Sequence, residues 1–271
     1  VGTPYLCRVL SKTGNNDIAY TLLLNKDYPS WLYAVTMGAT TIWERWNSVL
    51  PDGKISGTDM NSLNHYAYGS IAEWMYRNVA GINPVEDQPG YRQVRLAPQP
   101  DYRLKYAKAC LDSATGLYES QWELKEDGQL YFKFVIPFNA TASVELPDAK
   151  LENVLMNGSS LKATEVSAGQ NGEKVHVEIN SGTWEFLYTP EVEYIKYCST
   201  QMAVSELLSN DEVKNVLTEI APQVAALPQD MIAQLGHQSL RELSHMPFLP
   251  ISKEVLDELD IHLKKIKVIV S

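Results

Sequence analysis

Cysteine, long apolar runs and basic charge are all scarce in this 271-residue sequence, and each shortage removes a class of protein. The three cysteines, Cys7, Cys110 and Cys198, are odd in number, far apart and free of any C-x-x-C spacing. They exclude a disulfide-stapled scaffold, read as small buried hydrophobes, and lean towards a reducing, cytoplasmic compartment rather than a secreted one. No apolar run approaches the roughly 18 residues that cross a bilayer, and Val1-Gly2-Thr3-Pro4-Tyr5 lacks a basic segment ahead of an apolar one. Neither a membrane span nor a signal peptide is expected in this stretch. Lys and Arg number 23 against 33 Asp and Glu, a formal net charge of -10, which repels polyanions on average and argues against nucleic acid as a partner. Phosphate cradles of the G-x-x-x-x-G-K-[ST] type, G-x-S-x-G elbows, H-E-x-x-H helices and D-x-D-x-D-G calcium loops are all missing, so no cofactor or metal is implied.

What is present is a globular balance, 45% hydrophobic and 21% charged, in a length that suits about two domains. Six Trp and fifteen Tyr stand against five Phe. That excess favours rings with a polar handle, which serve carbohydrate-facing surfaces and ordinary interfaces alike.

The periodicity changes twice along the chain. Up to about Ile82 it is helical: Tyr5–Leu10, then Asp17–Leu24, then a helix opened by Pro29 and running through Trp31, Leu32 and Val35. Met60, Leu63, Ala67, Ile71, Trp74, Met75 and Val79 recur at helical spacing and predict a long helix from Met60 to Val79, capped by Asp59 and stopped by Gly81. After Pro89-Gly90 apolar and polar residues alternate, as in Tyr91–Leu96 and Val175–Ile179, with turn signals such as Asp127-Gly128 and Asn157-Gly158 between the runs. About eight strands in an antiparallel β-sandwich are expected. From Glu193 the helical period returns in short, separately capped segments: Asn210 before Val213, Val216, Leu217 and Ile220, a Ser239/Glu242 capping box, and Ser252 before Val255, Leu256 and Leu259.

Two residues stand out chemically. Glu44 lies between Trp43 and Arg45-Trp46 on a loop between helices. The indoles would oppose its charge, whereas Arg45, if aimed the same way, would support the ionised form that a general base needs. The alternative is a Glu–Arg surface pair between two core tryptophans. His65 falls in the first turns of the predicted long helix, whose N-terminus disfavours an imidazolium; it is either a ligand-binding ring or a structural one. Asn61, Asn64 and Tyr68 add polar groups that could bind hydroxyls. His176, His237, His245 and His262 are scattered and read as structural or solvated.

The runs Tyr28-Pro29-Ser30-Trp31-Leu32-Tyr33, Gly38-Ala39-Thr40-Thr41-Ile42-Trp43-Glu44-Arg45-Trp46 and Met60-Asn61-Ser62-Leu63-Asn64-His65-Tyr66-Ala67-Tyr68-Gly69-Ser70 resemble family 78 of the glycoside hydrolases, the α-L-rhamnosidases. Gly90 to Pro100 resembles the opening strand of that family's C-terminal sandwich. The resemblance covers residue 1 to about 190. It implies the last helices of an (α/α)6 barrel over 1–88, an antiparallel β-sandwich over 89–192 and, beyond it, a small α-helical appendage over 193–271. It further implies hydrolysis of terminal α-L-rhamnosyl residues with inversion, Glu44 as general base, and His65, Trp43, Trp46, Arg45 and Asn64 around the sugar. The partner implied is a rhamnose-containing glycoside or oligosaccharide.

The family's general acid belongs to the first half of the barrel, so the resemblance also implies a longer parent chain whose N-terminal half completes the site, and an inactive isolated chain. Other readings stay open: a non-catalytic carbohydrate-binding or structural module, or a different (α/α)6 glycosidase or lyase. For the appendage, the options are packing on the sandwich or homo-oligomer formation.

Overall fold

Short amphipathic segments separated by Gly and Asn breakers make the first part of the chain, in the computed structural model, a set of three short helices. The structure describes residues 2–57 and 59–268. Helix α1 spans Thr3–Lys12, α2 spans Asn16–Leu24 and α3 spans Trp31–Thr36. The third does not start at Pro29. Ser30 is its N-cap, accepting from the Tyr33 amide at 3.0 Å, so proline precedes the cap instead of filling the first turn.

The long helix predicted from Met60 is much shorter. Met60 has φ +52°, a left-handed conformation that no right-handed helix accommodates, and it is 79% exposed. Asp59 is therefore not an N-cap. The amides that would have opened the helix are used elsewhere: Ser62 donates to the Glu44 carboxylate at 2.7 Å and His65 to the Ile42 carbonyl at 2.8 Å. Helical structure begins with a 3-10 turn at Ala67–Ser70, continues as α4, Ile71–Trp74, and ends in a π-helical turn, Met75–Val79. Trp74 and Val79 are buried as expected, while Met75 is exposed.

Gly81 then reverses the chain with φ +79°, and a Cβ there would lie 2.1 Å from the Pro98 nitrogen. No other residue fits this position without moving backbone. The strands that follow are β1 (Ile82–Pro84), β2 (Gln93–Leu96), β3 (Tyr106–Ser113), β4 (Gly116–Leu124), β5 (Leu130–Ile136), β6 (Thr141–Pro147), β7 (Leu155–Met156), β8 (Ser159–Ser160), β9 (Ala168–Asn171), β10 (Lys174–Ile179) and β11 (Gly182–Tyr188). One sheet has the order β1-β2-β6-β10-β9, the other β3-β4-β5-β11-β7-β8. Every pair is antiparallel except β2 with β6. The excess over eight strands comes from very short ones, β1, β7 and β8. β1 precedes the strand expected from Tyr91, and that strand, β2, starts only at Gln93, since Tyr91 turns the chain at φ +57°.

Strict alternation places Leu130, Phe132, Phe134 and Ile136 of β5 inward, with Tyr118 and Trp122 of β4 and Phe186 and Tyr188 of β11, all essentially buried. Each such side chain contributes about 1.5–3 kcal/mol of burial free energy. Tyr188 Oη on β11 donates to the Pro147 carbonyl on β6 at 2.7 Å, a bond between the two sheets. Cys7 and Cys198 are buried, but Cys110 is exposed: it sits on edge strand β3, where only alternate side chains face inward.

The helical segment is tied to the sheets by buried polar contacts. Trp122 Nε1 donates to the Val79 carbonyl at 2.7 Å, Ser120 Oγ to that of Ala80 at 2.5 Å and Tyr20 Oη to that of Gln99 at 2.7 Å. Each satisfies a helix-end or loop carbonyl that burial would otherwise leave unpaired. By contrast, most of the exposed large apolar side chains among the described residues lie before Ile82, including Tyr5, Val9, Val35 and Tyr66.

The chain divides after Val192 into two compact units. The second, from Glu193 on, is built of helices α5 (Val204–Ser209), α6 (Asp211–Ile220), α7 (Pro222–Ala225), α8 (Gln229–Leu235), α9 (Leu240–Leu243) and α10 (Lys253–Leu263). Val204, Leu207, Val213, Leu217, Leu240, Leu259 and Leu263 form its core with Cys198. Asn210 Oδ1 caps α6 by accepting from the Glu212 and Val213 amides, Ser239 and Glu242 close a capping box on α9, and Ser252 caps α10. Arg241 ties α9 to α10 through Asp260 at 2.7 Å and Asp257 at 3.1 Å. No helix among the described residues is long and apolar enough to cross a membrane.

Candidate active site

The described residues between α3 and the first 3-10 turn form no helix; they run through turns and bends, and two short stretches of them lie side by side as a pair of arms. The Glu44 amide donates to the Ser62 carbonyl at 2.8 Å, the His65 amide to the Ile42 carbonyl at 2.8 Å, and Thr41 Oγ1 to the Leu63 carbonyl. This ladder brings Glu44 and His65 onto the same pair of arms across 21 positions of sequence. The Glu44 side chain, half-buried, accepts from the Ser62 amide through Oε2, which leaves Oε1 for another donor. His65, also half-buried, accepts from the Ala67 amide at 3.2 Å through Nδ1, so the atom available to a ligand is Nε2. Its ring stacks on Tyr66, centroids 5.4 Å apart and 9° from parallel, and Tyr66 is 89% exposed.

Arg45 does not partner Glu44. Its guanidinium donates to the Asp59 carbonyl at 2.8 Å, and its amide to Ser48 Oγ, so it braces the loop that carries the second arm. Among the described residues no ion pair joins Glu44 to a cation. The reason is local geometry: Glu44 is held by the Ser62 amide, while the Arg45 guanidinium is taken by the Asp59 carbonyl. Asn64 is exposed, its backbone held in a tight turn by Ser62 Oγ. Asn61 is structural, its Nδ2 donating to the Ser48 and Ser56 carbonyls.

Behind the arms lies a cavity of about 240 Å³ whose walls include Trp31, Ile42, Trp43, Arg45, Trp46 and Tyr68. Glu44, His65 and Asn64 are not part of its lining. Trp31 meets Trp46 edge-on with centroids 5.3 Å apart, and Trp46 meets Tyr68 at 5.3 Å, an aromatic wall of the size and polarity that a sugar ring packs against. Trp43 is nearly buried and packs on Tyr33, so it supports the wall more than it presents a face. Trp46 Nε1 is buried without a hydrogen-bond partner in the protein, whereas Trp31 Nε1 donates to the Tyr68 carbonyl. No group of three or more His, Cys, Asp or Glu suited to a metal ion occurs among the described residues.

Two contributors escape the reading of the sequence. The Ser62 amide, which aims Glu44, is a backbone group and leaves no compositional trace. Trp31 reads as an ordinary core residue of a helix, although its place three positions after Tyr28 in an aromatic-rich run is the signal that could have raised it.

Residues 1–79 match the family model of the bacterial alpha-L-rhamnosidase 6 hairpin glycosidase domain, and residues 81–159 that of the bacterial alpha-L-rhamnosidase C-terminal domain. Two consecutive domains of one family of glycosidases thus meet at Gly81, where the helices give way to the sheets. Over these residues the chain belongs to the bacterial α-L-rhamnosidases. It is 42% identical over 192 residues to an alpha-L-rhamnosidase of Formosa agariphila, an alignment covering 69% of this chain and 20% of that protein. To one of Streptomyces avermitilis it is 45% identical over 147 residues, 54% of this chain and 14% of that protein. The crystal structure of the Streptomyces avermitilis enzyme complexed with L-rhamnose superposes with a TM-score of 0.61 at 38% identity, covering 69% of this chain and 17% of that one. The α-L-rhamnosidase from Dictyoglumus thermophilum gives 0.60 at 32% identity, covering 70% and 20%. The chain therefore spans 14% to 20% of the length of these relatives.

Proposed function

We propose that this chain acts as the C-terminal part of an inverting α-L-rhamnosidase, a glycoside hydrolase that removes terminal α-L-rhamnosyl residues from glycosides or oligosaccharides. In this reading 1–88 supplies the closing helices of an (α/α)6 barrel, 89–192 a β-sandwich and 193–271 a helical appendage. The observation that carries it is the Glu44 carboxylate, held on one oxygen by the Ser62 amide, on the same pair of arms as His65 and inside the stretch that matches a six-hairpin glycosidase domain.

The chemistry follows from what each group can do. Glu44, ionised and anchored through Oε2, takes a proton from a water with its other oxygen as that water attacks the anomeric carbon. The amide holds one oxygen of the carboxylate in place and leaves the other free to take the proton. On the opposite face of the sugar an acid must protonate the leaving oxygen, and the two carboxyl groups must stand roughly 6.5–9.5 Å apart to admit the water. That acid belongs to another part of the parent enzyme, so the 271-residue chain alone is inactive. His65 offers Nε2 to a sugar hydroxyl, Trp46 and Trp31 offer ring faces to its C–H side, and Arg45 holds the loop. Asn64, exposed beside His65, is a further hydroxyl partner.

Glu44→Gln in the parent enzyme tests this on an aryl α-L-rhamnoside. Loss of the base should lower kcat by about 10²-fold or more with little change in KM. Near-full turnover by the variant would remove Glu44 from the mechanism.

A further inference from the structure

A second cleft, about 550 Å³, lies where α1, the π-helical turn, β2 and β10 converge. Its walls carry Arg8 and Lys12 from α1, Arg77 from the π-helical turn, Arg95 from β2 and Lys174 from β10, and no Asp or Glu lines it. In a sequence of net charge -10 this is a local reversal of sign. Among the described residues two carboxylates serve four of these five cations. Glu73 pairs with Arg8 at 3.2 Å and Arg77 at 2.9 Å, while Glu145 pairs with Arg95 and, at 3.1 Å, with Lys174. Each cation in those pairs shares its counter-charge, and Lys12 has no ion pair among the described residues. The four paired side chains stay 34–46% exposed, so their heads remain open to solvent beside the cleft.

We propose that this cleft binds an anionic sugar, one bearing carboxylate or sulfate ester groups. A concave wall of one sign concentrates field and favours a counter-charged ligand, and guanidinium forks match planar or tetrahedral oxyanions. Groups suited to the rest of a sugar stand among the cations. Tyr5, 63% exposed, presents a ring face, and Asn83 donates its Nδ2 to the Arg77 and Gly81 carbonyls, which leaves Oδ1 to accept from a hydroxyl. A bare inorganic ion needs neither. That the charge is carried on a sugar rests on the proposed rhamnosidase reading; the preference for an anion does not.

Calorimetric titration of the whole 271-residue chain with a uronate disaccharide, a sulfated disaccharide, their neutral counterpart and inorganic sulfate tests this. Saturable binding of either anionic sugar, absent for the neutral one and weakened by added salt, is the expected result. Whichever anionic arm binds names the group that is read. The double variant R8Q/K12Q should weaken binding about fivefold or more with the melting midpoint unchanged, because exposed charges contribute little to folding. Three results would overturn the proposal: equal binding of the neutral disaccharide, no loss on R8Q/K12Q, or no saturable binding of any sugar. So would displacement by inorganic sulfate at equal concentration, which marks a site for the ion alone. Binding is read without turnover, so failure here leaves rhamnoside hydrolysis untouched, and an inactive Glu44 leaves this cleft untouched.

Discussion

Replacing Gly81 by alanine is the most informative single perturbation of this fold, because the structure separates its two costs. The first is backbone conformation. At φ +79° an L-residue with a Cβ sits in left-handed space, at a cost of about 1–2 kcal/mol. The second is collision: the new methyl would lie 2.1 Å from the Pro98 nitrogen, 2.4 Å from the Ala97 carbonyl carbon and 2.6 Å from the Pro98 Cα. These are backbone atoms with nowhere to go. The Ala97 amide is bonded to the Gly81 carbonyl at 2.9 Å, the Gln99 amide to that of Asn78 at 2.8 Å, and Ile82 is in register with Leu96. Overpacking of this kind adds about 1–3 kcal/mol, so the total is about 2–5 kcal/mol against a typical domain stability of 5–15 kcal/mol.

Gly90→Ala is the control, since Gly90 has φ +84° but no atom within 4 Å of its would-be Cβ, and it should show the first cost only. Urea unfolding followed by tryptophan fluorescence is the assay. All six tryptophans lie before Val192, so the signal reports that unit alone. If Gly81→Ala and Gly90→Ala shift the midpoint equally, the collision is not real and the packing of helix end against β2 is wrongly described.

Two further outcomes can be checked on the same chain. Burial pushes the Glu145 carboxyl up, but hydrogen bonds from Arg95 and Lys174 and their charges outweigh it and hold it down at about 2. A depressed carboxylate stabilises the fold fully above its ordinary range near 4.5, and this contribution is lost as pH falls from there through about 2. At about 1.4 kcal/mol per unit, less the screening of its half-exposed partners, that is roughly 2–3 kcal/mol. Glu145→Gln should flatten the acid limb of stability measured by denaturant midpoint between pH 5 and about 2; an unchanged limb would show that other carboxylates dominate. In the second unit, Leu217→Ala removes a fully buried side chain and should destabilise its helices by about 2–5 kcal/mol, read as an earlier loss of ellipticity at the helical minimum on heating the chain. A shift below about 0.5 kcal/mol would mean the core around Leu217 collapses to fill the gap.

The helix over Met60–Val79 shows where periodicity misleads. Met60 and Leu63 keep the helical spacing, yet both are exposed, and the chain there bends, with Met60 in the left-handed region. The competing partners of the Ser62 and His65 amides, the Glu44 carboxylate and the Ile42 carbonyl, lie some twenty positions away, outside any local window. Ala67 to Val79, whose amides find helical partners, was legible. Arg45 beside Glu44 misleads for a related reason: adjacency in sequence does not decide direction, and the Asp59 carbonyl captures the guanidinium. Cys110 reads as buried because cysteines usually are, while an edge strand buries only alternate side chains.

Locally encoded features were available from the amino-acid order alone. Alternation set the faces of β2 and β10, the Asp127-Gly128 turn set a hairpin, and Asn210, Ser239 and Ser252 set helix starts, because each depends on groups within a few residues of one another. The motifs around Glu44 and His65 marked the candidate site. Tertiary structure alone decided which Glu44 oxygen is held, which His65 nitrogen is free, where Arg45 points and that five cations from four separate segments line one cleft. Those outcomes depend on hydrogen bonds and charges between distant segments, whose energies are fixed by distance and direction in space and carry no signature in sequence spacing.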